Sequence, residues 1–269
     1  MRITLHIATK NRHSELALLL QSLRTQTYQK FDLIILDDAS GSPIGSNYFI
    51  SHLLNRLMLE DHGVKVVREE KSFGVCHARN KCLIEDDFEN ELVGRIDDDC
   101  ILESDYLEKM VHGIIMGFDI MSGVTPFIGQ PILKRDIKFI GSIINKKIFN
   151  KKGEIIKYGD DCGYGYVQEA VFSAHEFRSN AIMKRAVVDK IGYETNLTPV
   201  GFREEGFFSL RALYAGFKIG VNTHAIAWHL MCPSGGVRND NYRNCVALDN
   251  ETFYKFAKKM YLKYGELPK

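Results

Sequence analysis

What most restricts the fold of this chain is an alternation, over its first 116 residues, of short apolar runs with helical patterns. "RITLHIA" alternates apolar and polar residues and then stops at the polar cluster "ATKNR". In the following "SELALLLQSLRTQ", Leu16, Leu19, Leu20 and Leu23 fall on one helical stripe, with Ser14 the expected N-cap. "FDLIILDDAS" is a continuous apolar run ending in acids, the pattern of a strand covered on both faces. "VKVVRE" reads as a third strand, "FGVCHARNKCLIED" as a helix opening at Gly74, and "ELVGRI" as a fourth strand. Ser104 is the expected cap of the next helix, in which Leu107, Met110, Val111, Ile114 and Ile115 keep helical spacing.

Strands separated by helices lie parallel and connect by right-handed crossovers, so the expected class is α/β, a mostly parallel sheet flanked by helices. Such sheets bind ligands outside the carboxyl ends of their strands. Three polar clusters fall at such ends: "ATKNR" after the first strand, "DDAS" after the second and "DDDC" after the fourth. They are expected to converge on one cleft.

The second half is less regular. "IFNKKGEIIKYG" suggests a hairpin centred on Asn-Lys-Lys-Gly, and "RSNAIMKRAVVDKIGYE" a strand followed by a helix. "EEGFFSLRALYAGFKIGV" reads as a helix ended by Gly216 and leading into a strand. "NETFYKFAKKMYLKYG" is a last helix with Phe253, Phe256, Ala257, Met260 and Tyr264 on one face. No linker-like stretch divides the chain, so a single domain is expected over residues 1–269. Within it, 1–116 forms the ligand-binding half, 117–248 the catalytic and second-substrate half, and 249–269 the C-terminal helix.

Composition narrows the function classes. A net charge of +1 provides no global field for nucleic acid. "MRITLHIATKNRH" has no apolar targeting core, and no uncharged run approaches the roughly 20 residues of a membrane helix, so a cytoplasmic location is expected. Six cysteines form no C-x-x-C pair and read as reduced, packed thiols.

The chemistry is concentrated in "GRIDDDCILESDYL". Adjacent carboxylates raise one another's pKa, and a hard divalent ion such as Mg²⁺ or Mn²⁺ relieves the repulsion while bridging to substrate phosphates. A solvated turn before a helix is the bland reading of Asp97, Asp98 and Asp99. Their position at a buried strand end, facing a second acid pair, favours the metal.

The series "IATKNR", "LQSLRTQTYQKFDLIILDDAS", "FGVCHARN", "IDDDCILESDYL" and "FREEGFFSLRALYAGF" resembles the inverting family 2 glycosyltransferases of the GT-A fold, over nearly all of residues 2 to 230. The resemblance implies a Rossmann-like sheet, a nucleotide-diphosphate sugar as donor, and an Asp-x-Asp motif with Mn²⁺ or Mg²⁺. By that likeness Asp97 contacts ribose or metal, Asp98 fills the variable place and Asp99 binds the metal at the diphosphate. Asp37 or Asp38 accepts from a base N–H, which favours a UDP-sugar. Ala8, Thr9 and Arg12 stand in the family's first nucleotide-contacting segment, with Ala8 and Lys10 replacing its proline and tyrosine. Gly74 permits a tight approach, and Arg79 meets a phosphate or the motif acids. Glu205 takes the position of the aspartate that serves as general base, with Glu204 as the other candidate. His229 completes the metal shell or touches the diphosphate, and Arg238 follows a Ser-Gly-Gly loop able to fold over phosphates.

The acceptor, a saccharide or a lipid-linked one as in cell-surface polysaccharide or glycolipid synthesis, is assigned mainly to residues 117–177. Lysines beside aromatic residues in the last helix raise peripheral contact with the inner membrane face, against the plainer expectation that the aromatic face packs on the core. Two alternatives stay open: a sugar-phosphate nucleotidyltransferase, whose glycine-rich phosphate loop "IATKNR" lacks, and an inactive sugar-nucleotide-binding module.

Overall fold

The structure, a computed structural model, describes residues 1–129, 134–135, 149–150, 152–154, 166–167, 171–238 and 240–267. The expected alternation is present. Strand β1 (Ile3–Thr9) leads through helix α1 (His13–Arg24) to β2 (Phe31–Asp38), and helix α2 (Tyr48–Leu59) connects to β3 (Val64–Glu69). Helix α3 (Val75–Ile84) then precedes β4 (Leu92–Asp97), short β5 (Cys100–Leu102) and helix α4 (Tyr106–Ile115). Next come β6 (Ile120–Val124), the two-residue strands β7 (Lys134–Arg135) and β8 (Tyr166–Val167), β9 (Val171–Ala174) and β10 (Ala181–Lys184). Helices α5 (Arg185–Ile191) and α6 (Glu204–Tyr214), strand β11 (Ile219–His229) and helix α7 (Tyr242–Tyr264) complete the order.

The main sheet runs β3-β2-β1-β4-β10-β6-β11-β5, with β9 paired to β11. Its first four strands are parallel, as expected. Beyond β4 it is mixed, because β10 runs antiparallel to both β4 and β6. Central β2 is covered on both faces: Leu33 and Ile35 pack into the core under α1 and α2, while Ile34 and Leu36 pack with Ala78 and Cys82 of α3. A separate aromatic cluster joins α6 to α7 through Phe207, Leu210, Phe253 and Ala257. Phe253 is therefore core rather than membrane-facing, while Tyr264 is exposed.

Two expected caps are replaced by tertiary contacts. Helix α1 starts after Arg12, whose side chain reaches the acids of the β4–β5 turn, and Ser14 lies inside the first turn. Helix α4 starts after Asp105, and the Ser104 carbonyl accepts from the Thr27 N–H instead. Ile115 points to solvent. Helix α6 ends as expected: Gly216 takes a φ of +89°, and the Phe217 N–H reaches the Ala212 carbonyl. Around Asn150 and Gly153 a turn closes through Gly153 N–H to the Asn150 carbonyl, but the strands expected on either side lie outside the described residues. Five of the six cysteines are described, and all five are free and buried.

Candidate active site

From β1 the chain turns to β2 and β3 on one side, whereas β4 pairs on the other side. A crevice therefore opens at the carboxyl ends of β1 and β4, where strand order reverses. The register sets Ala8 opposite Asp97 and Thr9 opposite Asp37. A cleft of about 550 Å³ occupies this crevice, and Ala8, Thr9, Arg12, Asp38, Arg79, Asp97, Asp98, Asp99, Glu204, Glu205, His229 and Arg238 all line it.

Each acid of the triplet has its own environment. Asp97 receives Arg79 Nη2 at 3.0 Å and, through its backbone N–H, donates to Asn180 Oδ1 at 2.7 Å. Burial pushes its carboxyl up, but Arg79 and Arg95 outweigh this and hold it down at about 2. Asp98 takes Arg12 Nη1 at 2.8 Å on one oxygen, while its buried Oδ2 has no hydrogen-bond partner among the described residues. Burial lifts this carboxyl to about 6 against the pull of Arg12. Asp99 lies 3.0 Å from the same Arg12 nitrogen and 3.6 Å from His229 Nε2, and burial raises it as well. Strand pairing makes the His229 approach, since His229 of β11 sits opposite Cys100 of β5.

Arg12 also holds the glycine loop, donating from Nε to the Ser234 carbonyl at 3.2 Å. Gly236 N–H meets the Lys10 carbonyl at 2.8 Å, and Gly235 adopts a φ of +74° so close to Lys10, Asn11 and Arg12 that a Cβ would come within 2.9 Å of two backbone oxygens. The loop is thus seated against the β1–α1 turn, with Arg238 directed into the cleft.

Glu204 and Glu205, at the start of α6, also line the cleft. Arg95 of β4 grips Glu204 through Nη1 at 2.9 Å and Nη2 at 2.6 Å, and Arg79 Nε lies 3.2 Å away. Burial pushes the Glu204 carboxyl up, and the two guanidinium groups pull against it. Glu205 is partly open to the cleft, with Arg95 Nη2 at 3.3 Å.

Two residues assigned to the nucleotide lie elsewhere. Asp37 is saturated by Arg68 at 2.6 Å and by the N–H groups of Ser40 and Ile44, which hold its carboxyl low in spite of burial, and it does not line the cleft. The acid of the pair that faces the cleft is Asp38, whose Oδ2 accepts from Ser72 while its buried Oδ1 has no hydrogen-bond partner among the described residues. Gly74 precedes α3 with a φ of +101°, and a Cβ there would come within 2.4 Å of the Pro199 backbone, so its tight approach is to that segment and not to the cleft. Lys10, Glu176, Arg178 and Arg203 also line the cleft, and Arg95 lies directly behind it. Lys10 and Arg203 lie within segments singled out in the sequence, whereas Glu176, Arg178 and Arg95 are brought here by long-range packing.

The acids suit a hard cation. Burial raises the Asp98 and Asp99 carboxyls, and Oδ2 of Asp98 has no hydrogen-bond partner among the described residues, a setting that a bound cation would relieve. Among the described residues, no three His, Cys, Asp or Glu side chains converge on a metal position. Mg²⁺-type sites need no more than one or two carboxylates completed by water and phosphate oxygens, which Asp97 and Asp99 can supply. His229 fits less well as a ligand. Its Nδ1 accepts from the Met231 N–H at 2.9 Å, so the neutral ring carries its proton on Nε2 and presents a donor, not a lone pair, toward Asp99.

Solved structures share this fold. S. aureus TarS 1-349 matches with a TM-score of 0.59 at 16% identity, over 86% of this chain and 60% of that one. The mannosyltransferase PcManGT from Pyrobaculum calidifontis, solved with GDP-Man and Mn²⁺, matches at 0.62 and 15%, over 99% and 66%. GalNAc-T7 with UDP, GalNAc and Mn²⁺ matches at 0.67 and 14%, over 99% and 55%. At such identities the likeness is one of fold, and the chain spans less than two thirds of each of these structures. No curated protein matches in sequence. The family model described as Glycosyl transferase family 2 matches residues 4–192, most of the chain. A GT-A-type sheet with its cleft at the switch point, and a family match over most of the chain that takes in the strand ends carrying the aspartate triplet, make this chain a member of glycosyl transferase family 2.

Proposed function

We propose that the protein is an inverting glycosyltransferase that moves a sugar from a nucleotide-diphosphate sugar, preferably a UDP-sugar, to an acceptor hydroxyl. The observation that carries this reading is one cleft lined both by the aspartate triplet and by the partly exposed carboxylate of Glu205. Both halves of the chain contribute to it, and we treat residues 1–269 as one catalytic unit.

In this reading the unpartnered Oδ1 of Asp38 accepts from the N–H of the base. A pyrimidine with a ring N–H, such as uracil, satisfies that oxygen, whereas cytosine offers an acceptor there. Asp97 and Asp99 hold Mn²⁺ or Mg²⁺, which when bound neutralises charge on the departing diphosphate. Arg238 and the Nε2–H of His229 donate to phosphate oxygens, and the glycine loop excludes water over them. Glu205 takes the acceptor hydroxyl proton as that oxygen attacks the anomeric carbon opposite the leaving group. Glu204, enclosed by two arginines, orients the wall and exchanges no proton.

GDP-Man and UDP in the similar structures support a nucleotide-diphosphate donor, and Mn²⁺ in two of them supports the metal. No helix among the described residues is long and apolar enough to cross a membrane. We place the activity in the cytoplasm, with an acceptor from saccharide or lipid-linked surface polymers. Any peripheral membrane contact would fall to the outward side of α7, where Leu248, Lys258, Lys259 and Leu262 are exposed. The test is a panel of nucleotide sugars with Mn²⁺, following nucleotide diphosphate release and the anomeric configuration of the product. Release with inversion is expected; a retained configuration contradicts the single displacement, and release of pyrophosphate from sugar phosphate and nucleoside triphosphate would make the protein a nucleotidyltransferase.

A further inference from the structure

Five charged side chains of alternating sign run behind the cleft: Asp97, Arg79, Glu204, Arg95 and Glu205. Successive contacts are 3.0 Å from Arg79 Nη2 to Asp97, 3.2 Å from Arg79 Nε to Glu204, 2.6 Å from Arg95 Nη2 to Glu204, and 3.3 Å from Arg95 Nη2 to Glu205. The middle three are buried, Arg95 entirely behind the cleft lining, and the two ends are the most open of the five, with side chains 22% and 24% exposed.

Arg95 is the most constrained of the five. It sits on β4 between β1 and β10, paired across from His6 and Ala181. Its guanidinium lies 5.3 Å from the ring of Phe177 and 5.8 Å from that of Tyr193, an arrangement that fixes the plane of the fork. One edge of the fork is committed to both oxygens of Glu204, and the same Nη2 extends to Glu205. The contact also gives the extra methylene of a glutamate at position 205 a purpose, since it carries the carboxylate to the buried cation.

We propose that Arg95 is a positioning residue that fixes the Glu205 carboxylate at the cleft wall and, through Glu204 and Arg79, ties that position to Asp97 on the donor side. The inference rests on the reading of Glu205 as base. A base works only when held to within a fraction of an ångström, and misplacement by about 1 Å costs on the order of 10²-fold. Lysine at position 95 keeps the charge and loses the fork.

The test is a double-mutant cycle on Arg95→Lys and Glu205→Gln, reading kcat and donor KM from nucleotide diphosphate release with the nucleotide sugar that wild type turns over fastest. Arg95→Lys alone is expected to lower kcat by roughly 10- to 100-fold with donor KM nearly unchanged. In the Glu205→Gln background the same change should cost less than about 3-fold, because the group it positions is already disabled. Equal losses in both backgrounds, or a loss confined to KM, would overturn the role of Arg95. If Glu205→Gln alone keeps full turnover, the assignment of the base fails instead, and the two failures are distinct. Should Arg95→Lys not fold, Glu205→Asp decides: it keeps the base, shortens its reach to Arg95, and is expected to lose at least about 10-fold in kcat. Wild-type turnover by Glu205→Asp would overturn the proposal.

Discussion

Glu204 and Glu205 are adjacent in the chain and opposite in surroundings: Glu204 is 3% exposed beneath two guanidinium groups, while Glu205 faces the cleft and touches only the edge of one. Position in sequence cannot separate them; environment does. Glu205→Gln is expected to reduce turnover on the order of 10²- to 10⁴-fold, the usual worth of a positioned base, with donor affinity kept. Glu204→Gln acts differently. It leaves two buried arginines short of a counter-charge, and a loss of about 3 kcal/mol of stability is expected. Urea unfolding of both variants beside their transfer rates checks the division of roles: a stable, inactive Glu204→Gln together with an active Glu205→Gln would exchange them.

The glycine loop provides a second expectation. Gly235→Ala places a Cβ against the Lys10 and Asn11 carbonyls at a φ of +74°, strain that bears on the seated position of the loop. Strain of about 1 to 2 kcal/mol corresponds to roughly 10-fold weaker nucleotide binding if the seated loop holds the diphosphate. Calorimetry with UDP and Mn²⁺ checks this, and unchanged affinity would remove the loop from the donor site.

Acid sensitivity is expected at a place far from the cleft chemistry. The fully covered Asp86 side chain accepts His6 Nε2 at 3.0 Å and Arg185 Nη2 at 2.7 Å. Although burial pushes it up, these partners hold its carboxyl at about 2, below the ordinary 3.8. The unfolded chain therefore binds the proton first, so this stabilisation is complete above about pH 4 and is lost as pH falls toward 2. Burial also lowers the His6 imidazole, so the unfolded chain takes up that proton more readily and stability falls as pH drops below 6.5. The Asp86 shift alone corresponds to about 2 kcal/mol of stability that disappears on acidification. Asp86→Asn should destabilise at pH 7 and flatten the stability profile between pH 4 and 2; an unflattened profile would mean that other carboxylates govern acid unfolding.

Much of this architecture is legible in the sequence. Leu16 to Leu23 announce α1, "LIIL" announces a strand buried on both faces, and the acids at strand ends announce the cleft. Helix α2 is not foreseen, although Ile50, Leu54 and Leu57 keep helical spacing, because "GSPIGSN" before it reads as loop. Neither are the true starts of α1 and α4, where the expected caps Ser14 and Ser104 lost to contacts formed only once β4 and β5 are in place. The same limit applies within the site. "DDAS" offers two acids, and only the fold reveals that Arg68 and two backbone N–H groups occupy Asp37 and leave Asp38 to the cleft. Arg95 reads as one charged residue in a strand, and its importance depends on Phe177, Tyr193 and Glu204, all at least 80 residues away.

The central claim, that the acids of the β4–β5 turn hold a nucleotide diphosphate through a divalent cation, is tested most directly by calorimetric titration of UDP into the protein with Mn²⁺, with a chelator, and into Asp99→Asn. Binding is expected with Mn²⁺, with a fall of at least about 10-fold in affinity when the metal or the Asp99 carboxylate is removed. Equal affinity in all three titrations would contradict the claim.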